Sequence, residues 1–196
     1  MNDSSDPLRL EIAAAAARLV ADGGLDYAEA KKKAARQVLG DGPVPKRALP
    51  DNEAIDAALR EHLELFDPDH GPRVSRRRQA AAALMLRLAD FQPYLTGAVW
   101  KGIVAEHAPI HLQLFHDNAK EIEIRLLNEG VDFDVATTSH FRGGADVEAI
   151  TFYLGEAPVL LTLYTHDELR GALKAGASGP ERGDRRALLA RLAEAA

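Results

Sequence analysis

The sequence predicts an α+β fold, with helices in its first half and a mixed sheet flanked by helices in its second. Two observations carry this reading. Up to roughly residue 90, apolar residues recur at helical spacing between capping and stop signals. After Pro93, short alternating runs rich in β-branched and aromatic residues take over. Helices followed by strands argue for α+β or α/β, with the sheet in the later part of the chain. The expected division is a helical region over 1–74, an α/β core over 75–175, and a linker with a final helix over 176–196.

The elements follow in order. Asp6-Pro7 is a helix start, with a capping carboxylate and a proline in the first turn. Ile12, Ala16, Leu19 and Val20 make its apolar stripe, and Gly23-Gly24 stops it. Asp26 with Glu29 resembles a capping box and opens a basic helix that ends at Gly40. The Pro-rich stretch 41–50 is a connector. Asp51 caps a third helix with Ile55, Leu59, Leu63 and Phe66 on one face. DPDHGP at 67–72 reads as a break, and a fourth helix is expected from Ser75 to Phe91, apolar at Leu84, Leu88 and Phe91.

Strands are expected at 94–98, 109–115, 131–137, 147–154 and 158–164. A helix over 118–128 turns Ile122 and Leu126 inward, with Ile124 as a further candidate, and stops at Gly130. FRGGAD at 141–146 is a loop, and Gly155-Glu156-Ala157 is a hairpin turn. Thr165 with Glu168 is a capping box for a short helix, 175–184 is a flexible linker, and an amphipathic helix closes the chain.

Composition narrows the function. The 196 residues are 46% hydrophobic and 28% charged, with a net charge of −6. The pI of about 5.6 argues against a general polycation for nucleic acid. There are no cysteines, which excludes disulfides, thiolate metal sites and cysteine nucleophiles. No apolar run approaches the ~20 residues needed to span a bilayer. The polar, acidic start lacks the features of a secretory leader, and a cytoplasmic protein of bacterial type is expected.

The most informative segment is Tyr94–Phe115, YLTGAVWKGIVAEHAPIHLQLF. Ile110, Leu112 and Leu114 alternate with His111 and Gln113, so a strand here sets the two polar side chains on one face. Leu95-Thr96-Gly97-Ala98, a dozen intervening residues, and then this strand resemble the signature of the nucleotidyltransferase superfamily. The order helix, glycine turn, short helix, strand, helix and strands is also similar, over a little under half the chain.

That resemblance implies a backbone turn at Gly97 and Ala98 for nucleotide phosphates, with Lys101 just beyond it. It places His111 and Gln113 where the family carries two acids that bind divalent metal. Glu148 or Asp134 would be the third acid on a later strand. Nucleotide-binding candidates are therefore Gly97, Ala98, Lys101, His111, Gln113 and Glu148. No catalytic residue, metal ligand or cofactor is assigned, because imidazole is a soft nitrogen donor and an amide carries no charge, whereas Mg²⁺ takes hard oxygen ligands.

The bland alternatives stand beside these. His111 and Gln113 form either a ligand-facing pair or the polar side of a covered strand, and Gly97 is an ordinary turn glycine. His107, His116, His140 and His166 fall in no metal-binding spacing, and no HExxH, P-loop or GxSxG motif occurs. Asp132 and Asp134 read as the polar side of an edge strand. Lys31, Lys32, Lys33 and Arg36, and then Arg76, Arg77 and Arg78, read as solvated helix faces. Three functions follow as expectations: a divergent nucleotidyltransferase-like protein binding nucleotide or nucleic acid, a non-catalytic interaction module with a protein partner, and a DNA-binding regulator.

Overall fold

The computed structural model describes residues 6–40, 42–174 and 179–194, and shows an α+β protein. It divides into two compact units, Met1–Arg73 with Ile103–Glu106, and Val74–Gly102 with His107–Ala196.

The first unit is built on α1 (Pro7–Gly23), α2 (Tyr27–Leu39) and α3 (Asn52–Phe66). Each begins on an aspartate whose carboxylate accepts a backbone N–H. Asp6 takes that of Leu8, Asp26 that of Glu29, and Asp51 that of Ala54. Such caps contribute about 1 kcal/mol each by satisfying donors that the first helical turn leaves open. Gly24, at φ 63°, closes α1 and donates to the Leu19 and Val20 carbonyls.

The core of this unit is mostly alanine. Ala15, Ala16, Ala30, Ala34 and Ala35 pack with Ile12 and Ile55, so small side chains form most of the interface. Leu59 and Leu63 are buried with Ala17, whereas Phe66 is 72% exposed and does not join the apolar face expected for it. The segment Ile103–Glu106 is tied in where the Val104 N–H donates to His70 Nε2 at 3.3 Å and its carbonyl accepts from Arg73 at 3.2 Å.

The break expected at 67–72 is shorter than the sequence suggests, because α4 (His70–Arg87) already begins at His70. Gly71 and Pro72 fall in its first turn, where a missing N–H costs nothing. Leu84, Leu88 and Phe91 are buried as expected, the last two beyond the end of α4.

The second unit is organised by a six-stranded sheet: β1 (Pro93–Thr96), β2 (Ile110–Phe115), β3 (Asp134–Thr138), β4 (Val147–Leu154), β5 (Ala157–Tyr164) and β6 (Arg182–Gly183), in the order β3-β4-β5-β2-β1-β6. Among the described residues, only β2 and β5 pair in parallel. Besides the part of α4 from Val74 onward, this unit holds α5 (Gly97–Lys101), α6 (Ala119–Asn128), α7 (Leu169–Ala172) and α8 (Arg185–Glu194).

Leu95, Ile110, Leu112, Leu114, Ile150, Phe152, Val159, Leu161 and Leu163 share one face of the sheet by register and are all buried. On α6, Ile122 and Leu126 are buried too, but Ile124 is 54% exposed, two residues from each and so turned outward. The expected linker at 175–184 is only partly described, since 175–178 lie outside the described residues, as does Asp41 in the 41–50 connector. Beyond that gap, Arg182 and Gly183 add a strand to β1 that the sequence did not suggest.

Candidate functional site

The strand β2 places its polar pair as alternation requires, and the register decides their company. His111 lies opposite Thr96 on β1 and Leu160 on β5, and Gln113 opposite Tyr94 and Thr162. Thr96 in turn pairs with Arg182, so Arg182 joins the same face. Gly97 follows directly, at φ 69°. A Cβ built there would stand 3.7 Å from the His111 Cβ, so the glycine turn and the first member of the pair are neighbours.

The rest of the expected set separates. Ala98 and Lys101 continue α5, Ala98 accepting the Gly102 cap and Lys101 exposed at the helix end. Glu148 stands beside Ala149, the residue that faces Thr162, so its own side chain belongs to the opposite face of the sheet. Alternation along β4 thus removes Glu148 from the polar pair. Asp134 does share the face of His111 and even its row, through Thr151 and Leu160. It sits three strands away, about 14 Å at the ordinary strand spacing.

Gln113 is sealed, whereas His111 keeps part of its surface exposed. Gln113 is 2% exposed and Thr162 1%, and the Gln113 Oε1 is buried without a hydrogen-bond partner. His111 is half-buried, with Nε2 3.0 Å from Thr162 Oγ1. Burial, and secondarily the charge of Arg182, push its imidazole down to about 4, so the ring is neutral at pH 7.

An aromatic cluster lies on this same face. Phe115 stacks on Tyr164 at 5.5 Å, and Phe141 meets Tyr164 edge-on at 5.0 Å. Ala172 and Leu169 of α7 pack into the cluster. The Arg182 guanidinium rides over Phe141 at 5.0 Å and donates to the Ala172 carbonyl, leaving its Nε buried and unpartnered. Desolvation lowers the pKa of Arg182 from its ordinary value. His140 Nε2 stands 2.7 Å from Glu168 Oε1 beside the same cluster.

This face has little to offer a divalent cation. Two neutral side chains share the face with a buried guanidinium, whose charge repels a metal ion. Among the described residues, no group of three or more His, Asp or Glu is placed to hold a metal.

The other candidates resolve individually. Lys31 donates to Asn52 at 2.8 Å, while Lys32, Lys33 and Arg36 are exposed on α2. Arg78 is not a solvated arginine, since it donates at 3.1 Å to the carbonyls of both Val99 and Trp100 and so anchors α5. His116 stands 2.9 Å from Glu121, and His166 Nδ1 3.1 Å from the Gln92 amide. Asp134 heads β3 and is exposed, at the side of a groove of about 780 Å³ whose walls also carry His107, Asp132, Phe133, Tyr153 and Leu160. Sequence reasoning missed this groove, because it is assembled from five separate stretches of chain. It also missed Arg182, which falls in a segment that reads as a linker.

No protein-family model, curated protein or solved structure matches this chain. Among the described residues, no helix is long and apolar enough to cross a membrane.

Proposed function

We propose that this protein is a non-catalytic binding module on a nucleotidyltransferase-like sheet. One observation carries the reading: the positions where an acidic pair would clamp metal hold a neutral imidazole and a sealed amide, with a guanidinium on the same face. Metal-dependent phosphoryl transfer depends on anionic oxygens that hold the ion and on access for the nucleotide. This face supplies no anionic oxygen beside His111, and Gln113 is closed to a nucleotide. The antiparallel β1–β2 pair, the glycine turn beside His111 and the parallel β2–β5 pair are the features that support the likeness in architecture.

The test is nucleotidyl transfer with labelled nucleoside triphosphates and Mg²⁺ or Mn²⁺, run on the wild-type protein and on the His111→Asp/Gln113→Asp double variant. The wild type is expected to be inactive, and metal-dependent incorporation by it would overturn the reading. Thermal shift with the same nucleotides, with and without metal, covers a second reading in which Arg182 helps to hold a nucleotide phosphate. A shift with nucleotide alone that is absent in Arg182→Gln supports that second reading.

A further inference from the structure

The groove beside Asp134 carries an inference that does not depend on what the His111 face does. Its volume of about 780 Å³ falls within the range of small-ligand sites, roughly 300–1,000 Å³. Much of its lining comes from β4 and β5, which pair without interruption from Ala149↔Thr162 to Leu154↔Ala157, so sheet hydrogen bonds hold it open. The register sets Asp134, Thr151 and Leu160 in one row, and alternation puts Tyr153 on the same face two residues beyond Thr151. At ordinary strand spacing and rise, the Cα positions of Asp134 and Tyr153 stand about 8 Å apart. β4 runs antiparallel to β3, which brings Tyr153 to the side from which Asp132 enters the strand. Tyr153 is 74% exposed, so its ring is available to whatever enters the groove.

Charge decides the occupant. Besides His107, the lining carries Arg87, Asp132 and Asp134 as charged side chains. Arg87 is already matched by the Glu129 carboxylate, which lies outside the lining. Asp132 and Asp134 are both exposed, and neither forms an ion pair among the described residues. The groove therefore presents two unmatched carboxylates beside an open aromatic ring. We propose that it binds a small organic cation, an amine with an aromatic or alkyl body.

An ammonium group meets both features at once. It pairs with a carboxylate, and the face of an aromatic ring attracts it. The body of such a ligand covers the apolar surface of Leu160, Pro109 and Pro158. Other classes of ligand fail on the same residues. A phosphate or carboxylate is repelled by Asp132 and Asp134. A neutral apolar molecule takes water from two carboxylates and returns no hydrogen bond. A divalent metal takes about six oxygens, and among the described residues no group of three or more His, Asp or Glu is placed to hold one.

The test is NMR of the full chain titrated with tryptamine, phenethylamine and hexylamine. Indole-3-propionate is the control, since it keeps the indole ring of tryptamine and carries a carboxylate in place of the ammonium. Saturable shifts confined to the groove residues are expected with the amines and not with the control. The double variant Asp132→Asn/Asp134→Asn is expected to weaken amine binding at least about tenfold. Tyr153→Ala is expected to weaken it by a smaller factor, through the lost ring face. All three side chains are exposed, so the far-UV spectrum should not change in either variant. Three results overturn the proposal: no saturable binding of any of the amines up to about 10 mM, equal binding of indole-3-propionate, or amine affinity unchanged in the double variant.

Discussion

His111 Nε2 and Thr162 Oγ1 stand 3.0 Å apart, a diagonal reach from β2 to its parallel neighbour, since the register pairs His111 with Leu160 and Thr162 with Gln113. The contact fixes one ring nitrogen of an imidazole whose proton affinity is depressed to about 4, first by burial and then by Arg182. Unfolded, the same ring titrates near 6.5. Between those values the unfolded chain holds a proton that the native state does not, so stability falls as pH drops from about 6.5 towards 4 and is fully present above that window. The contribution is up to about 3 kcal/mol. Urea denaturation at pH 7 and pH 4.5 should show a smaller loss in His111→Asn than in wild type. In NMR, the His111 ring resonance should stay unshifted down to pH 5. An ordinary midpoint near 6.5 would contradict the closed character of this face.

The strands were largely legible in the sequence. Alternation along Ile110–Phe115 located β2, and β-branched runs bounded by glycine located β4 and β5. The partnerships across the sheet were not legible. Whether Glu148 faces His111 depends on a register set by backbone pairing between distant segments, and a shift of one residue moves a side chain to the other face. Gln113 is buried on the face that also carries the Phe115–Tyr164 cluster, and the groups that pack on that cluster come from elsewhere in the chain. A single strand pattern reads as polar whether water or protein lies above it. Arg182 sits in a two-residue strand after a Gly- and Pro-containing stretch, with no local periodicity to mark it.

Glu168 closes a capping box on Thr165, accepting the Thr165 N–H at 2.7 Å and its hydroxyl at 2.9 Å, while its other oxygen meets His140 at 2.7 Å. Burial pushes this carboxyl up, but the hydrogen bonds from His140 and Thr165 outweigh it and hold the group below its ordinary value. Its stabilisation is present above the usual carboxylate range and is lost as pH falls through the depressed native value. Glu168→Ala should cost about 1–2 kcal/mol by chemical denaturation at pH 7, in line with a lost cap and a lost charge-assisted bond. Thr165→Ala should cost less, because the bonds from His140 and from the backbone N–H remain.

Gln113 occupies a sealed position with an unsatisfied carbonyl, which stabilises nothing. Replacing a buried, unpaired polar atom with an apolar one of similar shape removes a desolvation cost. Gln113→Met is therefore expected to leave the urea midpoint unchanged or raise it by up to about 1 kcal/mol in stability. A loss of more than that would show that the amide is satisfied by a group or water that the fold holds in place, and would restore a functional argument for it.

Gly183 lies under Trp100, the only tryptophan in the chain. A Cβ at Gly183 would stand 2.2 Å from the indole ring, so β6 can lie against α5 only with glycine at this position. The indole is held on its other sides too. Its N–H donates to the Pro180 carbonyl at 2.7 Å, and the Arg191 guanidinium rides 3.7 Å over its face while donating to the Trp100 carbonyl. Gly183→Ala must therefore displace either the ring or the strand, at a cost of about 1–3 kcal/mol. Trp100 is 3% exposed, so its fluorescence should shift to the red and become more accessible to acrylamide. Arg191→Ala uncovers the ring without introducing a clash and should give the smaller loss of stability. Were Gly183→Ala to leave both emission and stability unchanged, β6 would not be seated against Trp100, and the placement of Arg182 over the His111 face would fall with it.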